Sequence, residues 1–137
     1  MKFNNKNIKL AIFDLDGTLI DSTSVWSDVD ATFFKKRDQD IPSTYADEIA
    51  HVGLVAAAKL TKDKYFPNEL EKDIIQEWHD LSLEAYATHI PLKNNVERLL
   101  EKYYKLGIHI ALATANSKEL YEPCLTRLGI KQYFEFN

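Results

Sequence analysis

The stretch from Leu10 to Asp21 constrains the fold of this chain more than any other. It reads LAIFDLDGTLID: a short apolar run, two acids separated by one residue, a glycine, and a second apolar pair. Leu10–Phe13 has the pattern of a strand buried on both faces of a parallel sheet. Ligands of open α/β sheets gather at the carboxyl ends of the strands. We therefore expect Asp14 and Asp16 to lie where chemistry is usually done.

The residue types of this turn suit metal-assisted chemistry. Two carboxylates this close suit a hard cation such as Mg²⁺, which takes one or two carboxylates together with phosphate oxygens. With the metal screening its charge, one carboxylate can attack phosphorus while the other transfers a proton. Gly17 permits a tight turn, and Thr18 supplies a hydroxyl within it. The simpler alternative is a strand followed by an acidic, solvated turn.

Composition limits the possible classes of protein. The 137 residues, 45% of them hydrophobic, carry a net charge of −4, which fits one soluble domain and argues against a nucleic-acid binder. No apolar run approaches the roughly 20 residues of a membrane helix, and the N-terminus is no signal peptide. Cys124 is the only cysteine, which excludes an intrachain disulfide and a cysteine-based metal cluster. We predict a cytoplasmic protein with no nucleic-acid or membrane partner.

The segment from residue 22 to residue 90 predicts helix after helix. Breaks at Pro42, Gly53 and Pro67 divide it into four helices. The fourth helix carries an apolar stripe at about four-residue spacing, formed by Leu70, Ile74, Trp78, Leu81 and Ala85. Such a stripe is best explained as the core of a small helical bundle.

The chain beyond Pro91 alternates between helix and strand. The predicted elements are a helix from residue 94 or 95 to 107, a strand over 108–113, a helix from 118 or 119 to 128, and a short third strand within 130–137. This alternation predicts a parallel sheet with right-handed crossovers. We therefore predict an α/β fold: a Rossmann-like core over residues 1–20 and 92–137, with an inserted four-helix cap domain over residues 21–91. We refer to the turn that carries Asp14 and Asp16 as the acidic turn. A cap placed directly after it can close over the site and exclude water.

Thr114 marks a second candidate site, at the end of the second predicted strand of this core. A hydroxyl and an adjacent backbone N–H at the mouth of a strand, just before a helix, form a phosphate-binding corner. Asn116 adds a side-chain amide that can hold a phosphate oxygen or the substrate. A simple cap of the next helix is the alternative, and both can be true.

These two sites together resemble the haloacid dehalogenase-like superfamily. Its phosphotransferases begin with a hydrophobic strand followed by DxDGT, and a later hydrophobic strand ends in Thr or Ser. The chain is most similar to the β-phosphoglucomutase-like group of small-metabolite phosphatases and sugar-phosphate mutases, which carry an α-helical cap after the first motif. The segment PLKNNVERLLEKYYKLGIHIALATANS is similar to that group throughout, and the resemblance covers about residues 8 to 136.

The resemblance implies a role for each site residue. Asp14 would be the nucleophile that forms an aspartyl-phosphate, and Asp16 the general acid and base. Mg²⁺ would be bound by the Asp14 carboxylate and the Asp16 backbone carbonyl. Thr114, with backbone amides around Leu15 and Ala115, would grip the transferring phosphoryl group. The other predicted phosphate-binding residues are Gly17, Thr18 and Asn116.

The sequence departs from the family pattern in two places. The family completes its site with a later lysine and further acids, whereas this sequence stops at Asn137, so we expect an incomplete core from a truncated phosphatase. Without the later strands, Leu10–Asp14 would lie at an open sheet edge that favours association. The mutases of the group carry a basic residue shortly after the cap glycine. Here Gly53 is followed by apolar residues until Lys59, which favours a phosphatase.

Three functions follow from this pattern. The leading hypothesis is a Mg²⁺-dependent phosphatase of a small phosphorylated metabolite. The first alternative is a phosphosugar mutase, whose isomerisation would depend on a bisphosphate. The second is a non-catalytic chain that binds a protein partner or forms a homo-oligomer through the open sheet edge.

Overall fold

The computed structural model describes residues 2–3 and 6–135, which form two compact units. The first comprises the chain up to Ser24 and from Ala85 onward; the second is Val25–Glu84. We refer to them as the α/β unit and the helical unit. The sequence-based boundaries, after residues 20 and 91, remain a prediction about domains. The elements are, in chain order, β1 (Lys2–Phe3), β2 (Lys6–Asn7), β3 (Leu10–Asp14), α1 (Val25–Lys35), α2 (Tyr45–Ile49), α3 (Leu54–Tyr65), α4 (Glu71–Thr88), α5 (Val96–Lys105), β4 (His109–Ala113), α6 (Lys118–Arg127) and a 3₁₀ turn (Lys131–Tyr133).

A parallel pair of strands forms the centre of the α/β unit. β3 pairs with β4 from Leu10 opposite His109 to Asp14 opposite Ala113. The two strands therefore end at the same level, and the segments that follow them leave the sheet at one edge. Helices α5 and α6 precede and follow β4, as expected for a parallel crossover. The predicted α/β fold with a parallel sheet is confirmed.

The two connections between the acidic turn and the helices pair with each other within the α/β unit. The backbone N–H of Asp21 donates to the carbonyl of Pro91, and that of Lys93 donates to the carbonyl of Leu19, both at 2.9 Å. Ile20 and Leu92 form the antiparallel bridge between these bonds. Because each backbone group finds a partner in the other connection, the two segments hold each other in place.

Aromatic side chains build the core of the helical unit. Phe33 and Phe34, adjacent on α1, are fully buried and meet the rings of Tyr45, Phe66 and Trp78 at centroid separations of 4.9 to 5.8 Å. Most of these contacts are edge-to-face, the arrangement that the ring quadrupole favours. The Tyr45 hydroxyl lies 2.8 Å from a hydroxyl of α3, which in turn donates to a helix carbonyl. The core is thus apolar, with its buried hydroxyls satisfied.

Arg37 joins α1 to the fourth helix of the same unit. Its guanidinium donates to both carboxylate oxygens of Glu69 at 2.6 and 2.7 Å and to Glu77 at 2.7 Å. It also lies 3.6 Å from the centre of the Phe33 ring. The guanidinium holds the pKa of the Glu69 carboxyl below its usual value. These ion pairs are only partly shielded from water, so their contribution to the free energy of unfolding lies between that of a surface pair and that of a buried pair.

Replacing Arg37 should destabilise the helical unit. Arg37→Met leaves two partly buried carboxylates without their cation, so we expect a loss of about 2 kcal/mol in the free energy of unfolding at neutral pH. Urea unfolding measures this loss, with Lys35→Met as the control, because Lys35 is an exposed cation two positions before Arg37, at the end of α1. A group with a lowered folded-state pKa stabilises above its unfolded value, so the difference should shrink as the pH falls below about 4. Equal effects of both substitutions would contradict this account.

Three details of the sequence-based fold were wrong. Residues 130–135 form a 3₁₀ turn and a short extension rather than a third strand, although the N–H of Glu135 donates to the Ile110 carbonyl beside β4. The end of that predicted strand, residues 136 and 137, lies outside the described residues. β3 is not buried on both faces: Leu10 and Ile12 are 46% and 63% exposed. The residues before Leu10, for which the sequence indicated no strand, contain the paired strands β1 and β2.

In the described part of the chain, no helix combines the length and the apolar character that crossing a bilayer requires.

Candidate active site

Buried apolar side chains hold the acidic turn in place. Leu15, Leu19 and Ile20 are buried, with exposed fractions of 0 to 1%. The Leu15 carbonyl accepts hydrogen bonds from three following N–H groups at 2.9 to 3.2 Å, which closes the loop. Gly17 has a φ of +76°, in the left-handed region that favours glycine. Apolar anchors and a glycine turn thus leave Asp14 and Asp16 at the end of β3.

Asp16 is the centre of the hydrogen bonds at this edge of the sheet. Its Oδ1 accepts from the Ser22 hydroxyl at 2.7 Å and from the Tyr86 hydroxyl at 2.5 Å. Its Oδ2 accepts from the side-chain amide of Asn116 at 2.5 Å. All of these residues belong to the α/β unit. Both carboxylate oxygens accept hydrogen bonds, so the side chain is held in a fixed orientation.

Asn116 connects the acidic turn to the end of β4. Its backbone N–H donates to the Thr114 hydroxyl oxygen at 3.1 Å, while its amide reaches Asp16 and lies 3.4 Å from the Tyr86 hydroxyl. This is possible because β3 and β4 end at the same level. Asp16, Thr114 and Asn116, predicted as site residues from separate parts of the sequence, therefore lie together in one hydrogen-bonded group.

Tyr86 is held so that its hydroxyl donates to Asp16. Burial, and next the neighbouring carboxylate of Asp16, raise the pKa of Tyr86 to about 12, so the phenol stays protonated at neutral pH. Arg127 of α6 donates to the backbone carbonyls of Tyr86 at 3.1 Å and of Ile90 at 2.6 Å. A cation at the C-terminal end of a helix also matches the helix dipole. Arg127 thus fixes the end of α4 from which Tyr86 reaches the acidic turn.

The remaining predicted site residues contribute less to this group. Asp14 ends β3 opposite Ala113, is exposed, and has no side-chain hydrogen bond among the described residues. Thr18 and Ala115 are exposed as well, whereas the Leu15 side chain is buried, so only its backbone can face a ligand. The role of each residue in catalysis or phosphate binding stays a prediction.

Ser22 and Tyr86 were missed by the sequence analysis. Ser22 was included only as the start of the predicted helical segment, and the fourth helix was interpreted by its apolar stripe, which does not include Tyr86. Nothing in the spacing along α4 indicates that its last turn belongs to the α/β unit. The only available indication in the sequence was that Tyr86 directly follows the last residue of that stripe and lies shortly before Pro91.

The donor set of the turn is compatible with Mg²⁺ only in part. Asp14 has a free carboxylate at the end of β3, and the backbone carbonyl of Asp16 lies in the same turn. Mg²⁺ typically takes one or two carboxylates and completes its shell with waters and phosphate oxygens. Over residues 2–3 and 6–135, however, no cluster of three or more acids, histidines or cysteines could hold a metal ion. The residues present therefore fit a Mg²⁺ ion that takes most of its ligands from water and a phosphate group.

Comparison with known proteins establishes the family. The family model described as haloacid dehalogenase-like hydrolase matches residues 11–137, almost the whole chain. The chain therefore belongs to the haloacid dehalogenase-like hydrolases, which confirms the family predicted from its sequence. No curated protein sequence matches it.

Solved structures share the fold at low sequence identity. A candidate phosphatase from Clostridium difficile is 22% identical with a TM-score of 0.73, over 96% of this chain and 60% of that one. A candidate β-phosphoglucomutase from Thermotoga maritima is 18% identical with a TM-score of 0.83, over 94% and 60%. A protein predicted to be a phosphoglycolate phosphatase, from Haemophilus somnus, is 23% identical with a TM-score of 0.71, over 94% and 61%. The chain thus spans about 60% of the length of these relatives.

Removing the Tyr86 hydroxyl should loosen the acidic turn. Tyr86→Phe deletes a donor to a partly buried carboxylate, so we expect a loss of about 1 to 2 kcal/mol in the free energy of unfolding. The urea midpoint measures this loss. Tyr104→Phe is the matched control, since that ring is 57% exposed, and it should change stability by less than about 0.5 kcal/mol. Equal midpoints for Tyr86→Phe and the unaltered chain would contradict the role given to the hydroxyl.

Proposed function

We propose that this hydrolase removes the phosphoryl group from a small phosphorylated metabolite, through Asp14 and Asp16 and with Mg²⁺. The observation that carries the proposal is the group at the ends of β3 and β4: a free carboxylate at Asp14 beside an Asp16 held by three donors. Phosphoryl transfer mostly needs positioning and charge neutralisation, which such an arrangement supplies.

In the first half of the proposed reaction, a carboxylate oxygen of Asp14 attacks phosphorus and the bond from phosphorus to the ester oxygen breaks. The leaving oxygen takes a proton from Asp16, so Asp16 must enter this step protonated. The result is an aspartyl-phosphate on Asp14 and a free alcohol.

In the second half, Asp16 accepts a proton from water, and the water oxygen attacks phosphorus. The bond between phosphorus and the Asp14 oxygen breaks, which releases inorganic phosphate and regenerates the carboxylate. The three donors around Asp16 hold its side chain in place for this proton transfer. Thr114, Asn116 and the backbone N–H groups of the turn would hold the phosphoryl oxygens during both steps.

Mg²⁺, when bound, would neutralise the charge between the Asp14 carboxylate and the phosphoryl oxygens. The Asp14 carboxylate and the Asp16 carbonyl are the residues that would hold it. Two ligands from the protein would leave most of the octahedral shell to water and substrate, as is typical of Mg²⁺ in proteins.

The sequence after Gly53 favours a phosphatase over a phosphosugar mutase. A mutase needs a cation for the second phosphate of its bisphosphate, whereas residues 54–58 are apolar. The first cation after this glycine, Lys59, pairs with Asp63 at 2.8 Å on the same helix. A substrate with one phosphate therefore fits this chain better than a bisphosphate does.

Phosphate release from a generic aryl phosphate tests the proposal. With Mg²⁺, the chain should release phosphate, and Asp14→Asn should lower the rate at least about 100-fold because it removes the nucleophile. Asp38→Asn is the matched control: Asp38 is exposed, and its φ of +52° suits asparagine. It should leave the rate unchanged. A rate that survives Asp14→Asn, or that does not depend on Mg²⁺, would overturn the mechanism.

A second candidate function is self-association through β3, which one observation favours. Among the described residues β3 pairs only with β4, and its Leu10 and Ile12 side chains are exposed. A strand with one unpaired edge and exposed apolar side chains offers both backbone groups and apolar area to a second copy of the chain.

Sedimentation equilibrium over a range of concentrations tests this second function. If β3 is the contact, the average mass should rise with concentration, and Ile12→Lys should weaken association about tenfold or more. Val55→Lys is the control, because Val55 is equally exposed, at 66% against 63%, but lies on the helical unit. A monomer at all concentrations, or an equal effect of both substitutions, would exclude the contact through β3.

A further inference from the structure

A cavity of about 540 Å³ lies within the helical unit, and all the residues that line it belong to that unit. This volume is in the range of small-molecule sites. Its walls are mainly apolar, with Ile49 and Leu54 among them, and they include Trp26 and Trp78, the two tryptophans of the chain. At its mouth, Trp26 and Leu54 are 55% and 51% exposed. Exposed apolar groups around a cavity are typical of a binding site.

Asp30 is the single charged residue in the wall of this cavity. Within the described chain, its carboxylate has no hydrogen-bond or ion-pair partner. Burial raises the pKa of this carboxyl to about 6. Burial first, and among smaller causes the charge of Asp30, raise the pKa of Tyr45 to about 12, so this phenol is neutral and balances no charge. At neutral pH the cavity therefore contains a negative charge that no protein cation balances. Such a charge costs stability unless a ligand balances it.

Trp78 supplies a second unsatisfied group in the same wall. It is 4% exposed, and its indole Nε1 is buried with no hydrogen-bond partner among the described residues. Buried donors are nearly always paired, so an orphaned one calls for an explanation. A ligand oxygen is the kind of group that would satisfy it.

The geometry points to this cavity as a binding site for a small organic cation, an ammonium ion with apolar substituents. The Asp30 carboxylate balances the charge, the indoles of Trp26 and Trp78 offer π faces to a cation, and the apolar walls accept its substituents. A metal ion fits less well, because the wall provides one carboxylate where Mg²⁺ or Ca²⁺ takes several oxygens. The inference does not depend on the proposed phosphatase activity, because no residue of the acidic turn lines the cavity and the test measures binding rather than turnover.

Titration with choline tests the inference through tryptophan fluorescence. Both fluorophores line the cavity, so the signal reports on this site directly. Choline should change the fluorescence saturably at constant ionic strength. Its neutral isostere dimethylbutanol, in which carbon replaces the ammonium nitrogen, should bind at least about tenfold more weakly. Equal binding of the two compounds, or no saturable change with choline up to about 100 mM, would overturn the inference.

Asp30→Asn should lower the affinity for choline about tenfold or more. Asp28→Asn, an exposed acid two positions away on α1, is the matched control and should leave the affinity unchanged. Far-UV circular dichroism verifies that both variants fold. An equal loss in both variants would mean that choline responds only to the net charge of the protein, and would contradict the assignment to the cavity.

The pH dependence gives a readout that needs no variant. Because Asp30 titrates near pH 6, lowering the pH from about 7.5 to about 5 should weaken choline binding about tenfold. The same change should have no effect on Asp30→Asn. A pH-independent affinity of the unaltered chain would overturn the role of the carboxylate.

Discussion

The three hydrogen bonds that converge on Asp16 join parts of the chain that are far apart in sequence. Ser22 lies 6 positions away, Tyr86 70 positions away and Asn116 100 positions away. A buried or half-buried carboxylate must find donors, because leaving its oxygens unpaired costs several kcal/mol. The polar end of the α/β unit is therefore organised around this one side chain, and the backbone pairing of residues 19–21 with 91–93 holds the same segments together.

The hydrogen bonds around Asp16 connect the stability of the acidic turn to the proposed proton transfer. Arg127 holds the backbone of Tyr86, Tyr86 donates to Asp16, and Asn116 connects Asp16 to Thr114. A substitution at any of these positions affects both the order of the turn and the group proposed to transfer a proton. Asp14 is different, since its carboxylate makes no side-chain hydrogen bond in the described chain. Replacing Asp14 should therefore affect the proposed catalysis without lowering the stability of the turn.

The helical unit follows a different principle. Its core is a cluster of aromatic rings closed on one side by Arg37, and its buried hydroxyls are paired. The cavity beside Trp78 departs from that rule, with an unpaired carboxylate and an unpaired indole N–H in one wall. Natural proteins violate local rules mainly at functional sites, and for this reason we assign a ligand to the cavity.

The sequence by itself determined the α/β class, the family, the four helices between the two strands, and the acids and threonine at the strand ends, because periodicity and the DxDGT pattern are local signals. It did not predict Ser22 and Tyr86 as partners of Asp16, because these contacts depend on where α4 ends in space. It also could not show that residues 130–135 form no strand, since strand formation depends on pairing with distant backbone groups. The placement of the half-buried Asp30 and the buried Trp78 around one cavity was likewise decided by packing between helices, which no local pattern records.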